Sequence, residues 1–115
     1  MGIKLLEATP QKLVATMPVE GNTQPIGLLH GGANVVLAES LGSIGTQLHA
    51  GPTRKIVGVD INATHHKSAM SGIVTAVATP VSLGNTMCCY EIVITNEKGE
   101  RTCTARITCL ILAER

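Results

Sequence analysis

Aromatic side chains are almost absent from this sequence of 115 residues. It contains no Phe and no Trp, and Tyr90 is its one aromatic residue. A surface that stacks nucleic-acid bases on aromatic rings is therefore excluded. Charged residues are also scarce, at 15% of the chain with a formal net charge of +1. That balance argues against a nucleic-acid partner, because such proteins bind through a dense basic surface.

Long apolar runs are missing as well. The sequence has neither the stretch of about 18 apolar residues that spans a bilayer nor the apolar core of a secretory signal. We therefore expect a cytoplasmic protein with no membrane partner. The four cysteines, at positions 88, 89, 103 and 109, lack C-x-x-C spacing. We expect them to be reduced packing thiols, and the four histidines show no metal-ligand spacing either.

What the sequence does contain favours a β-rich single domain. Apolar residues make up 44% of the chain, and 33 residues are Val, Ile or Thr, which favour strands. The length allows one domain over residues 1–115. A small chain with so much apolar and so little charged surface is expected to bury part of it in a homo-oligomer.

The order of elements predicts an α+β fold with an antiparallel sheet. The first 20 residues are expected to form one strand that ends at Pro18. A Gly-rich connection that contains Pro25 leads to the single helix, in which Leu37, Leu41, Ile44 and Leu48 form an apolar stripe that ends near Gly51. Four strands follow, at Lys55–Thr64, Gly72–Val81, Thr86–Thr95 and Arg101–Leu112. The last two are joined by a turn over Asn96–Gly99.

Two glycines, Gly31 and Gly32, stand where the chain enters the helix. Backbone N–H groups at a helix start attract negative charge, and glycine lets another group approach them closely. An oxyanion hole can be built in this way. The alternative is that the pair simply turns a tight corner.

Glu39 lies in the middle of the helix, with no basic residue between Gly31 and Gln47 to neutralise it. Small or polar residues follow it at Gly42, Ser43 and Thr46, so we expect close packing on that side. Glu39 is interpreted either as a carboxylate on a solvated helix edge or as a general base or nucleophile that faces a cleft.

The spacing of these two features predicts a shared site. Gly31 and Glu39 are eight residues apart, about 12 Å along a helix axis. One carbonyl group cannot contact both residues of the same helix. If both act on one substrate, Glu39 must come from a second subunit.

These residues resemble a known family. The runs Q-P-x-G-x-x-H-G-G-A, from Gln24, and V-L-A-E-S-x-G-S, around Glu39, are similar to those of hotdog-fold acyl-CoA thioesterases, in the branch of the PaaI-type and 4-hydroxybenzoyl-CoA enzymes. The segments Ile61–Ala69 and Pro80–Gly84 also match in order and spacing. The resemblance covers Met17 to Leu112 and implies a sheet that curls around one long central helix.

The resemblance also implies roles for individual residues. Glu39 would attack the thioester or activate water, the Gly31 amide would polarise the thioester oxygen, and Gln24, His30 and Ser43 would assist. Contacts with coenzyme A would come from two segments, Asn62, His65, His66, Lys67 and Ser68 and then Ser82, Leu83, Gly84, Asn85 and Thr86. The family implies no separate cofactor, because coenzyme A is part of the substrate, and a homo-oligomer that is a dimer of dimers.

Two other functions stay open at this point. A hotdog module could bind acyl-CoA without cleaving it, although such a module has no use for an unpaired carboxylate beside the carbonyl. A hydratase or dehydratase of acyl chains is the third possibility, and it would need a catalytic His paired with an acid in another motif.

Overall fold

A computed structural model describes residues 1–24, 27 and 29–113. Pro25, which the sequence analysis assigns to the connection before the helix, lies outside the described residues, as do Ile26 and Leu28 of the motif. The elements are β1 (Lys4–Thr9), β2 (Lys12–Pro18), α1 (Gly31–Ala50), β3 (Ile56–His65), β4 (Ile73–Leu83), β5 (Met87–Thr95) and β6 (Arg101–Ile111).

The strands form one antiparallel sheet in the order β1-β2-β4-β5-β6-β3. The helix contacts all six strands from one side of the sheet. The predicted α+β architecture is confirmed, and the ends of the last four strands fall within two residues of the predicted positions. Within the described part of the chain, β1 and β3 are the two edges of the sheet.

The prediction of a single strand before the helix is wrong, because β1 and β2 form a hairpin. The Thr9 hydroxyl accepts from the Lys12 backbone amide at 3.1 Å and closes the turn between them. All residues of β1 are exposed, and its register shifts between Leu5 and Glu7. Since no face of β1 is buried, its sequence lacks the alternation that indicates a strand.

Close contact between helix and sheet depends on small helical residues. A Cβ atom at Gly42 would overlap the Ile107 side chain of β6, and one at Gly45 would lie 2.6 Å from Tyr90 Cζ. The close packing that was expected near Glu39 is therefore made at Gly42 by this chain's own sheet. The predicted apolar stripe is only partly buried, since Leu37 and Leu41 lie in the core while Leu48 is 47% exposed.

The single aromatic residue, Tyr90, is fully buried in this core. Its hydroxyl donates to the Pro10 carbonyl in the turn between β1 and β2. Burial raises the pKa of Tyr90 to about 12, so the phenol keeps its proton. The residue thereby ties the first hairpin to the centre of the sheet.

The cysteines are free thiols, as predicted. Cys88, Cys103 and Cys109 are buried, and Cys89 is half-buried on the other side of its strand. Burial raises the pKa of Cys88 and Cys103, which keeps these thiols protonated and unreactive.

Candidate active site at the two ends of strand β3

The start of helix α1 is capped by a side chain of the motif. His30 has extended backbone geometry, and its Nδ1 accepts a hydrogen bond from the Gly32 amide at 2.9 Å. His30 is therefore the N-cap and carries its proton on Nε2. The Gly31 amide has no acceptor among the described residues. It remains available to an outside oxygen at the positive end of the helix dipole.

A cleft of about 410 Å³ opens beside this helix start, and we call it the Gly31 cleft. It brings together several of the residues that the sequence analysis singled out. Its lining residues are Gln24, Leu29, Gly31, Asn34, His65, His66, Lys67, Ser68 and Ala69.

The floor of the Gly31 cleft is fixed by backbone hydrogen bonds. The Leu29 amide donates to the Ala69 carbonyl at 2.8 Å, and the His30 amide donates to the Asn22 carbonyl at 2.8 Å. The Asn22 side chain in turn donates to the carbonyls of Met1 and Pro18. The loop before the helix is thus tied to both the first hairpin and the segment after β3.

Gly31 also leaves room for its neighbour across the cleft. A Cβ atom there would lie 3.0 Å from His65 Nε2, closer than an ordinary contact. The missing side chain lets the imidazole at the end of β3 lie against the helix start. A side chain at position 31 would require the exposed His65 ring to shift by a few tenths of an ångström.

The rim of the Gly31 cleft carries exposed basic groups. His66 Nε2 is hydrogen bonded to Thr104 Oγ1 at 2.8 Å. Lys67 Nζ forms an ion pair with Glu100 at 2.6 Å. The hydrogen bond from Lys67, followed by one from Asn96, lowers the pKa of the Glu100 carboxyl. Lys67 is therefore partly neutralised within the chain.

Glu39 lies in a different, smaller cleft of about 210 Å³, which we call the Glu39 cleft. Its other lining residues come from β3 and β6 and are Gly58, Val59, Asp60, Ile61 and Ile107. The Glu39 side chain is exposed and makes no hydrogen bond or ion pair with a described residue. None of the described residues that line this cleft is basic.

The remaining predicted site residues belong to neither cleft. Ser43 is half-buried one turn beyond Glu39. Asn62 is exposed on β3 between the two clefts. The loop over Ser82–Thr86 lies at the far end of the helix, where His49 Nε2 contacts the Gly84 carbonyl at 2.9 Å. That end is about 27 Å from Gly31 along the helix axis.

Arg54, which the sequence groups with Lys55 as a basic pair, has a structural role. Its guanidinium donates to the carbonyls of Asn85, Ile111 and Leu112 at 3.0–3.3 Å. It joins the Ser82–Thr86 loop to the end of β6. A hollow of about 640 Å³ beside it is lined by Thr53, Lys55, Leu112 and Ala113, and it shares no residue with the motif.

Asn34 and Asp60 are site residues that the sequence analysis missed. Asp60 adds a second carboxylate to the Glu39 cleft. Asn34 is 5% exposed on the floor of the Gly31 cleft. The sequence does contain a signal for Asn34. It is a polar residue on the side of the helix where Ala33 and Leu37 are buried in the core.

No three His, Cys, Asp or Glu side chains among the described residues lie close enough together to hold a metal ion. No helix among those residues is long and apolar enough to cross a membrane.

Comparison with known proteins gives consistent results. Residues 26–103 match the family model described as the thioesterase superfamily. The chain is 50% identical over 101 residues to the 1,4-dihydroxy-2-naphthoyl-CoA hydrolase of Escherichia coli, a match that covers 87% of this chain and 74% of that protein. It is 44% identical to the proofreading thioesterase EntH of Cronobacter sakazakii over 97% of this chain and 82% of the relative.

Solved structures agree with the sequence matches. A mutant thioesterase from Pseudomonas aeruginosa superimposes with a TM-score of 0.91 at 40% sequence identity. The superposition covers 96% of this chain and 81% of that one.

Proposed function

The chain belongs to the thioesterase superfamily and is a thioester hydrolase, and from that premise we propose that it cleaves acyl-CoA thioesters with an aryl or medium-chain acyl group to the free acid and CoA. The observation that carries the proposal is the Gly31 cleft, where an amide with no acceptor among the described residues lies beneath a rim of basic side chains. The name of the Escherichia coli relative, a CoA ester hydrolase, supports the same class of substrate.

In the proposed reaction, the thioester carbonyl oxygen accepts a hydrogen bond from the Gly31 amide. Negative charge that develops on this oxygen is stabilised by the donor and by the helix dipole. Gln24 lines the same cleft and assists as a second polar group. His30 acts indirectly, because its cap on Gly32 sets the direction of the first helical amides.

Glu39 supplies the attacking group in one of two ways. As a nucleophile, its carboxylate oxygen bonds to the acyl carbon, the carbon–sulfur bond breaks, CoA thiolate leaves, and water then hydrolyses the mixed anhydride. As a general base, it takes a proton from water, which attacks the same carbon directly. Ser43, one turn further along the helix, orients the water. Neither route requires a cofactor.

The open edge of the sheet supports a site shared between two chains. β3 pairs only with β6, and Val57 and Val59 on it are 42% and 50% exposed. An unpaired strand edge with apolar side chains is a template for a second strand. Homodimer formation through β3 would cover this edge.

Antiparallel pairing of two β3 strands would also join the two clefts. Residues 58–61 line the Glu39 cleft, and His65 at the other end of the strand lines the Gly31 cleft. A pairing centred near Asn62 sets residues 58–61 of one chain beside residue 65 of the other. Each Glu39 would then face the Gly31 amide of its partner, and two such dimers would form the tetramer.

The same pairing brings the two proposed CoA-binding segments together. The N-terminal end of one helix approaches the C-terminal end of the other, where Ser82–Thr86 lies. Asn62 and His65–Ser68 of one chain and Ser82–Thr86 of the partner would then share one nucleotide. Basic groups on the rim suit phosphates, and Gly84 offers a backbone donor. Acyl-CoA is a cytoplasmic metabolite, and we propose that location for the enzyme.

A panel of CoA esters tests this function. The wild-type protein is incubated with benzoyl-CoA, hydroxybenzoyl-CoA isomers, phenylacetyl-CoA and hexanoyl-CoA, and free CoA is followed with a thiol reagent. We expect turnover of at least one aryl or medium-chain ester. Binding of these esters without release of CoA would instead favour the non-catalytic acyl-CoA-binding module.

A further inference from the structure

Asn34 has a buried oxygen that the chain itself leaves without a hydrogen bond. The residue is 5% exposed, and Oδ1 is the one buried side-chain oxygen or nitrogen in the described part of the chain that has no partner. Asn34 follows Gly31 by three residues, so it lies one helical turn further in, and it lines the Gly31 cleft. The residue that bears the unpaired oxygen therefore lines the proposed site of thioester binding.

The other buried polar side chains of the core do not share this property. Asn22 donates to two carbonyls at 2.8 Å, Thr46 donates to the Gly42 carbonyl at 2.8 Å, and Thr102 donates to the Ile94 carbonyl at 3.2 Å. Native proteins pair nearly all such groups, since an unpaired buried acceptor destabilises the fold. An exception on a cleft floor indicates a donor that arrives with a ligand.

The layering of the cleft indicates which part of the ligand reaches this floor. Leu29, Asn34 and Ala69 are buried, while His65 and Lys67 form the exposed rim. If the phosphates of coenzyme A bind at the basic rim, the acyl group is the part of the substrate that lies deepest. This step rests on the proposed function.

We propose that Asn34 determines acyl-group specificity, because its Oδ1 accepts a hydrogen bond from a hydroxyl group on the acyl moiety. The floor is otherwise apolar at Leu29 and Ala69, so it suits an acyl group that is apolar apart from this donor. A site that hydrogen bonds a substrate hydroxyl discriminates against the analogue without one, since the protein acceptor is then left unpaired. Hydroxylated acyl groups are therefore the preferred substrates.

The test compares kcat/KM for benzoyl-CoA and its 2-, 3- and 4-hydroxy derivatives. We expect the wild-type enzyme to prefer at least one hydroxylated ester by about tenfold or more. Asn34→Leu, which keeps the branching at Cγ and removes the acceptor, should bring that ratio to within about twofold by slowing only the hydroxylated ester. The midpoint of thermal unfolding should stay the same or rise, because an unpaired polar group is removed.

Thr46→Val is the matched control. It removes a buried polar group from the same helix, about 18 Å along the axis from Asn34, and should leave the substrate ratio unchanged. Asn34→Ala carries the same test if the leucine variant does not fold.

Several outcomes would overturn the proposal. One such outcome is a wild-type ratio of kcat/KM between hydroxylated and plain benzoyl-CoA near one. Another is a ratio that stays unchanged in both Asn34 variants. Either result shows that Asn34 does not hydrogen bond an acyl hydroxyl. If the Asn34 variants lose kcat/KM equally for all four esters and also unfold at a lower temperature, Oδ1 binds the CoA moiety or a partner subunit instead of the acyl hydroxyl. Wild-type protein that cleaves neither these esters nor phenylacetyl-CoA and hexanoyl-CoA refutes the proposed function itself, and that result is distinct from active enzyme without a preference.

Discussion

The Gly31 cleft and the Glu39 cleft lie along the same helix and the same strand, yet their chemistry is opposite. The Gly31 cleft has basic side chains and a backbone amide without an acceptor among the described residues, and none of those residues contributes a carboxylate to it. The Glu39 cleft has two carboxylates, Glu39 and Asp60, and no basic residue lines it. In the proposed reaction, the Gly31 cleft supplies the hydrogen-bond donor and the Glu39 cleft supplies the carboxylate.

The two clefts also differ in how their functional groups are held in place. The floor of the Gly31 cleft is held by backbone hydrogen bonds and by the His30 cap, as expected of a rigid oxyanion site. Glu39 is exposed, and its carboxylate makes no hydrogen bond or ion pair with a described residue. Under the proposed function, one chain holds two half-sites, and they act on one substrate when two chains pair.

The largest effect is expected from removal of the carboxylate half. Glu39→Ala should lower kcat by about a thousandfold or more with little change in KM, because the lost group acts in the transition state. Steady-state kinetics with the best ester of the panel measures both constants. Glu7→Ala, an exposed carboxylate on β1, is the control and should keep full activity. A loss in Glu39→Ala below tenfold would remove Glu39 from the mechanism.

A second effect should follow from blocking the sheet edge that joins the two halves. Val57 lines neither cleft, and Val57→Lys places like charges where two β3 strands would pair. We expect a weaker dimer and a specific activity that falls about tenfold or more on dilution and recovers with concentration. Sedimentation and activity are measured over the same dilution series.

Leu6→Lys is the matched control at the opposite edge. Leu6 is 63% exposed on β1 and should tolerate the charge without loss of dimer or activity. If Val57→Lys is monomeric and remains fully active at every concentration, each chain contains a complete site.

The smallest effect concerns the rim of the Gly31 cleft. Lys67→Ala should raise KM by about three- to tenfold, with a smaller change in kcat and a smaller effect at high salt, because exposed charge contacts are weak and screened. Lys98→Ala, which removes an exposed positive charge in the β5–β6 turn, is the control and should leave KM unchanged. An unchanged KM in Lys67→Ala would place the nucleotide elsewhere.

A substitution of Glu100 gives a second test of the same contact, because Glu100 competes with the phosphates of coenzyme A for Lys67. The hydrogen bond from Lys67 lowers the pKa of Glu100, so the ion pair persists at neutral pH and breaks only when acid protonates the carboxylate. Glu100→Gln should therefore lower KM by about twofold at pH 7, in the opposite direction from Lys67→Ala.

Local patterns in the sequence predicted most of the fold. The apolar stripe, the start at Gly31 and the stop at Gly51 fixed the helix, and the Asn96–Gly99 turn fixed the last hairpin. Gly99 has a φ of 78°, and Asn96 Oδ1 accepts from the amides of Lys98 and Glu100, so that turn depends on its own residues. Strand β1 was missed because its partner strand, and not its own sequence, determines its conformation.

The candidate site was predicted less completely, because it depends on contacts between distant residues. The motif placed Gly31 and Glu39 on one helix, and the eight-residue spacing already required two different positions for them. Sequence alone could not place Ser82–Thr86 at the far end of that helix, since strand pairing decides this. Nor could it indicate that Asn34 Oδ1 lacks a donor, which is a property of packed neighbours.

Complementation between two inactive variants tests the shared site most directly. Gln24→Ala damages the Gly31 half and Glu39→Ala the carboxylate half, and equal amounts are mixed after each variant alone is shown to be strongly impaired. Subunit exchange is driven by mild denaturation and renaturation and verified by mass spectrometry. If sites are shared, mixed dimers hold one intact site of two, and activity should recover to about a quarter of the wild-type value. Activity that stays at the level of the separate variants after verified exchange would contradict the shared site.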